Sequence, residues 1–261
     1  MKGLGIFSLE GRVAIVWGGG GAIGSAVAQA LTDAGAAVAI VDSDADRVAS
    51  AAARLGQCGA EPEALIGDAT DPAACRRLVG QAVSRFGRLD ICFNAIGGGA
   101  GKVLHPAEAY PVDDWDWIMD LNLRSTVYAT QASVQAIIAG GHGGRVLSMS
   151  SVRGQLGINA GYSAYVAAKG AINALTRQWA TEWAQHGITV NAIAPTFVDT
   201  PQVAMLLGDP EFKAKLVERV PLGRVGSTDD LLGAVLLFCS DASSFITGQI
   251  LTIDGGLTAT Q

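Results

Sequence analysis

At 261 residues, 49% of them hydrophobic and 34 of them glycine, the chain can bury a large core, and an α/β fold of this length commonly forms one unit. A net charge of −6 with scattered basic residues leaves no cationic footprint for nucleic acid or an anionic membrane, so neither is expected as a partner. The four cysteines, Cys58, Cys75, Cys92 and Cys239, have no CxxC spacing and the three histidines stand far apart, which argues against a metal site or a disulfide framework.

No apolar run reaches the ~18 residues a membrane-spanning helix needs, and Leu4-Gly-Ile-Phe7 is too short for the apolar core of a signal peptide. The expected setting is the cytoplasm. Runs rich in β-branched residues recur at Val13–Trp17, Val38–Asp42, Ala64–Ile66, Leu89–Asn94, Arg145–Ser150, Thr189–Ala194 and Ile250–Asp254, with Ala-rich helical stretches between them. This alternation predicts βαβ units, and the unbroken apolar character of the strands predicts a parallel sheet covered on both faces.

The first strand runs into Gly18-Gly-Gly-Gly21 and then Ala22-Ile23-Gly24, which open a helix that extends to Ala34 and is closed by Gly35. Glycine allows close backbone approach, and a helix N-terminus offers free N–H groups and the positive end of a dipole. Gly18, Gly20, Gly21, Ala22, Ile23 and Gly24 therefore make a candidate pyrophosphate cradle; a plain tight turn is the other reading. Asp42 ends the second strand, 18 residues after Gly24, where a carboxylate can accept hydrogen bonds from the adenosine ribose and repel a 2′-phosphate. No Arg or Lys lies in Gly18–Ser25 or directly after Asp42, so the expected cofactor is NAD rather than NADP.

Long helical stretches are predicted over Asp113–Ala139 and over Tyr162–His186, the latter closed by Gly187. The second contains Tyr165-Val-Ala-Ala-Lys169, whose i,i+4 spacing puts a phenol and an ammonium on one face. Tyrosine is a poor base at neutral pH, and a nearby positive charge favours its phenolate. From Pro201 to Gly226 the pattern is broken by Pro and Gly around a short helix-like Phe212–Val220, and the stretch 201–223 is a candidate lid.

Taken together, these pieces resemble the short-chain dehydrogenase/reductases of the single-domain type, from about Gly11 to Gly256. They stand in the family's order: the glycine turn, Asp42, Gly67-Asp68, Asn94-Ala95, Leu-Asn122-Leu, Ser150-Ser151, Tyr165 with Lys169, Pro195 with Thr200, and the closing Thr247 to Gly256. The resemblance implies one domain over 1–261, a Rossmann-like doubly wound parallel sheet of about seven strands, and oxidoreduction between a secondary alcohol and a ketone with NAD. It makes Tyr165 the general acid/base, Lys169 the partner that lowers its pKa and holds the nicotinamide ribose, Ser151 the donor to the substrate oxygen, and Asn122 the holder of a water linking Lys169 to solvent. Ser150 stays open as an alternative to Ser151. Asp68 with Ala69 would meet the adenine, although a helix N-cap is the competing role for Asp68. Asn94, Ala95 and Ile96 would line the adenosine side, and Pro195, Val198 and Thr200 the nicotinamide or pyrophosphate. A homotetramer is expected, by the same resemblance.

Five positions depart from the family's usual residues: Trp17 for Thr, Ala22 for Gly, Phe93 for Asn, Ile96 for Gly and Thr196 for Gly. Because the first and fourth strands should be neighbours, Trp17 is expected to pack on Phe93–Ile96, with exposure in the cleft as the alternative. The pocket should draw on Gly97–His105, Val152–Asn159 and the lid, whose Val203, Met205, Leu206, Leu207 and Phe212 suggest an apolar or weakly polar substrate rather than a sugar acid. Arg153 reads as a solvated loop residue, with binding of a carboxylate or a CoA phosphate as its other reading; His105 reads as a solvated loop residue, Tyr162 as a pocket wall or interface residue, and Trp179 with Trp183 as core or subunit packing. A 3-oxoacyl or 3-hydroxyacyl thioester enzyme is the alternative activity, and a catalytically silent dinucleotide-binding protein a further one.

Overall fold

A computed structural model describes residues 3–57, 59–201 and 203–260, so Cys58 lies outside it, as do the side chains of Met205 and Leu206. Its centre is a fully parallel sheet of β1 (Val13–Trp17), β2 (Ala37–Asp42), β3 (Glu63–Ile66), β4 (Ile91–Asn94), β5 (Gly144–Met149), β6 (Ile188–Pro195) and β7 (Ile250–Ile253), in the order β3-β2-β1-β4-β5-β6-β7. The order reverses between β1 and β4, and at such a switch point the loops part beyond the carboxyl ends of the strands to leave a crevice. All seven strands fall where the apolar runs place them.

Helices α1 (Ala22–Asp33), α2 (Ala45–Gln57), α3 (Pro72–Phe86), α4 (Val112–Met119), α5 (Ser125–Gly140), α6 (Ser163–Glu182), α7 (Ala204–Leu207), α8 (Pro210–Glu218) and α9 (Asp229–Cys239) follow in chain order. Val27, Leu31, Val235 and Phe238 of α1 and α9 cover one sheet face with Val16, Ile40 and Phe93. Leu78, Ala129, Ile137 and Trp179 of α3, α5 and α6 cover the other with Ile15, Trp17 and Cys92. Asp71 caps α3, accepting from the Ala73 N–H at 2.8 Å with Pro72 in the first turn, so the capping role considered for Asp68 belongs to its neighbour. Among the described residues no helix is long and apolar enough to cross a membrane.

Two expectations need correction. The helix expected over 113–139 is interrupted: between α4 and α5 the chain makes a π-helical turn, Asp120–Arg124, with Asn122 at its middle. One extra residue per turn rotates Asn122 inward without ending the helix, and hydrophobic periodicity carries no signal of it. Of the Phe93–Ile96 segment expected to meet Trp17, Ile96 packs in the same core layer as the indole but Phe93 does not. Trp17 pairs in register with Asn94 while Val16 pairs with Phe93, and because strand side chains alternate, the two aromatics occupy opposite sheet faces. Trp17 is fully buried, its Nε1–H donates to Ser133 Oγ at 3.1 Å, and its carbonyl accepts from the Ala95 N–H at 2.8 Å. The indole thus fills the α5 side of the core and stays out of the cleft. Trp179 and Trp183 stack at 5.1 Å within that same core layer.

Candidate active site

At the turn between β1 and α1 the backbone is compressed. A Cβ on Gly24 would lie 2.1 Å from the Gly18 carbonyl oxygen, and one on Gly18, at φ +75°, would lie 2.9 Å from the Ile96 nitrogen. Helix α1 starts behind Gly21 without a side-chain cap, which leaves its first-turn N–H groups to an anion such as a pyrophosphate. The Gly20 N–H donates to Asp42 Oδ2 at 3.2 Å and the Asp44 N–H to Asp42 Oδ1 at 3.2 Å, so the carboxylate at the tip of β2 is held against the glycine turn. Arg47 also comes close: a Cβ on Gly20 would sit 2.7 Å from Arg47 Cβ, while the guanidinium pairs with Asp44 at 3.3 Å. The linear sequence concealed this neighbour, because a helical turn separates it from Asp42.

Asp68 sits beyond β3, exposed, accepting from Thr70 N and Oγ1 at 2.8 Å each, with Ala69 buried beside it. The Asn94 side chain is buried and donates to Thr130 Oγ1 at 2.9 Å and Ser148 Oγ at 3.2 Å, tying β4 to α5 and β5. A nucleotide at this wall would therefore meet the backbone of Asn94 rather than its amide.

Between the strand ends lies a cavity of about 280 Å³, lined by Ile23, Ala95, Ile96, Ser151, Tyr165, Lys169, Pro195, Val198 and Thr200 among others. The turn residues, Asp42 and Asp68 lie beyond it, along the rim toward β2 and β3. Ser150 and Ser151 both line the cavity, with different partners. The Ser150 hydroxyl donates to Asn173 Oδ1 at 2.6 Å, while Ser151 Oγ accepts from the Arg153 N–H at 3.1 Å and hydrogen-bonds with the Tyr165 phenol.

Burial raises the Tyr165 pKa above the ordinary phenol value, opposed by the Ser151 hydrogen bond and by the charge of Arg153. Lys169 lies close by. Its buried ammonium donates to the Met149 carbonyl at 2.9 Å, 5.7 Å from the Tyr165 ring centre, and burial lowers its pKa to about 8. Asn122 Nδ2 donates to the carbonyls of Ile118 at 3.1 Å and Gly98 at 3.0 Å, and Oδ1 accepts from the Gly98 N–H at 2.8 Å. A Cβ on Gly97 would fall 2.8 Å from Asn122 Oδ1 and 3.0 Å from Lys169 Nζ. The Asn122 side chain consequently pins the 97–98 loop beside the lysine.

The substrate side also differs from expectation. Among the described lid residues Val203 lines the cavity, Leu207 is buried, and Phe212 packs edge-on against Phe197 at 5.8 Å. Tyr162 is a wall residue, T-shaped to Tyr165 at 6.3 Å. Arg153 is half-buried and lines the cavity instead of standing in solvent, and His105 bonds Asp114 at 2.6 Å rather than being free. Lys102, within the Gly97–His105 stretch expected to form the pocket, and Thr196, one of the five departures, line the cavity too. The buried Thr196 hydroxyl has no hydrogen-bond partner among the described residues, which fits a polar group, such as a carboxamide, entering from the cavity. With the compressed glycine turn and the uncapped helix, it makes the crevice a fitting host for a nicotinamide dinucleotide.

Residues 20–258 match the family model described as enoyl-(acyl carrier protein) reductase. An uncharacterised oxidoreductase of Mycobacterium tuberculosis is 36% identical over 98% of this chain and 95% of its own length. Gluconate 5-dehydrogenase of Gluconobacter oxydans is 34% identical over 97% of each chain. Among solved structures, a gluconate 5-dehydrogenase from Burkholderia cenocepacia in complex with NADP and tartrate superposes with a TM-score of 0.92 at 34% identity, covering 99% of both chains.

Proposed function

The chain belongs to the short-chain dehydrogenase/reductase family, oxidoreductases acting on CH–OH groups, and from that premise we propose that it interconverts a secondary alcohol and a ketone with NAD(H). The observation that carries this reading is the convergence of Ser151, Tyr165 and Lys169 on one cavity at the switch point of the sheet. A bound nicotinamide would supply hydride exchange at carbon. Tyr165 takes the hydroxyl proton of the alcohol, or returns it to the ketone oxygen; the Ser151 hydroxyl orients that oxygen; Lys169 holds the ribose hydroxyls. Asn122 keeps the 97–98 loop in place beside Lys169.

Preference for NAD is supported by Asp42, whose carboxylate is held against the glycine turn at the tip of β2 and would repel a 2′-phosphate; the NADP in the Burkholderia structure belongs to that protein. Segment 201–223 serves as the lid. The enzyme works in the cytoplasm as a homotetramer, a reading supported by Leu251 on β7 and the nearby exposed Leu222 and Phe245, which sedimentation at micromolar concentration tests. The activity is tested by following reduced-nicotinamide absorbance with NAD and with NADP across secondary alcohols, polyols, hydroxy acids and 3-hydroxyacyl thioesters. Turnover with NAD ahead of NADP is expected. Selective turnover of thioesters would move the substrate class, and no turnover of any of them would overturn the reading.

A further inference from the structure

The geometry points to a substrate that carries an anionic group, a carboxylate or an isosteric sulfonate, anchored by Arg153. This deepens the alcohol–ketone reading above and rests on it. Arg153 sits two residues after Ser151 in a short 3-10 turn, Val152–Gly154, and its backbone N–H is the donor that fixes Ser151 Oγ. The side chain is therefore positioned by the same turn that positions the donor to the substrate oxygen.

Among the described residues it forms no ion pair with a carboxylate. Arg12, Arg85, Arg88, Arg145 and Arg224 each pair with an Asp or Glu, whereas the one hydrogen bond of the Arg153 guanidinium goes to the Gly157 carbonyl at 3.3 Å. Lys102 also lines the cavity, and it likewise has no ion pair among the described residues. No Asp or Glu lines the cavity with them, although the chain as a whole carries a net charge of −6. Burial and the neighbouring Arg219 both push the Arg153 pKa down, the mark of a cation that lacks compensation where it stands. A planar guanidinium in such a place matches a carboxylate or sulfonate with two parallel hydrogen bonds.

The anion and the carbinol belong to one molecule. Arg153, Tyr162 and Tyr165 line one cavity, so an anion held by the guanidinium lies within the same cavity as the reacting oxygen. The pyrophosphate cradle is elsewhere, at the turn opening α1, and does not account for this cation. A hydroxy acid or keto acid thus replaces the weakly polar ketone that the lid residues suggested.

The test compares kcat/KM for the best hydroxy acid of the panel with that for its primary amide, in wild type, R153Q and R153K. Wild type should favour the acid, and R153Q should lower the acid-to-amide ratio by about 30-fold, chiefly through KM, with partial recovery in R153K. Preference for the amide in wild type, or a ratio unchanged in R153Q, would overturn the proposal. If no alcohol or ketone turns over, the activity reading fails by itself. The anchor is still decided by calorimetry with tartrate: binding weakened at least tenfold in R153Q upholds it, and equal binding to both proteins overturns it.

Discussion

A Cβ added at Gly24 would lie 2.1 Å from a backbone oxygen, whereas one added at Gly157, in the loop across the cleft, would meet nothing within 4 Å. The nucleotide wall is specified by backbone: a turn pressed onto Gly18 and Ile96, a helix start and one carboxylate. The substrate wall is specified by side chains on irregular segments, Lys102, Arg153, Tyr162 and Val203 among them. A wall made of backbone cannot vary without breaking; a wall made of side chains can change its ligand while the scaffold stays put. The first wall thus fixes the cofactor class, and the second chooses the substrate.

Changes on the two walls should differ in size and kind. Gly24→Ala should weaken dinucleotide binding at least ~100-fold, because backbone on both sides of the clash would have to move; fluorescence titration with NADH measures it, and near-native binding would show that the turn is less compressed than described. Asp42→Ala should shift the kcat/KM ratio of NAD to NADP by about tenfold toward NADP, with Arg47 left free to meet the 2′-phosphate, since Asp44 already holds it only at the surface. An unchanged ratio would move cofactor choice away from this carboxylate.

Behind both walls the effects become structural. Trp17→Phe removes the indole N–H that donates to Ser133 and leaves a small void, costing about 2 kcal/mol. Calorimetry should show a Tm lower by about 4 °C, with kcat/KM changed no more than about twofold because the indole is outside the cleft. Lys169 gives a smaller effect of opposite sign. Its folded-state pKa of about 8 lies below the ordinary lysine value of 10.5, so the penalty for burying the ammonium is complete below pH 8 and is relieved as pH rises toward 10.5. Lys169→Met should therefore raise Tm by about 3 °C at pH 7, and the gain should shrink by pH 10. A gain that does not vary with pH would mean that burial leaves the lysine's pKa unchanged.

Most of the scaffold was legible because it rests on local rules. Apolar runs at intervals gave all seven strands, and Gly35 and Gly187 marked real helix ends. What escaped depended on facing and on neighbours distant in sequence. Trp17 and Phe93 were assigned to one contact because strand adjacency is readable while the side-chain face depends on register. The π turn at Asn122 was hidden inside a continuous helical pattern. Arg153 looked like a solvated loop residue because the turn that folds it back into the cavity is stabilised by Ser151 Oγ, a hydrogen bond with no compositional signature. The pairing of Tyr165 with Lys169 was correct as geometry, yet the balance between burial and charge on the phenol needed the three-dimensional surroundings.

The most direct test of the account is turnover by Tyr165→Phe beside its affinity for dinucleotide. The substitution removes one oxygen from the substrate wall and leaves the nucleotide wall untouched, so kcat should fall by about 10³ while the NADH dissociation constant stays within about threefold of wild type. Equal turnover by wild type and Tyr165→Phe would contradict the assignment of Tyr165 as the proton-transfer group.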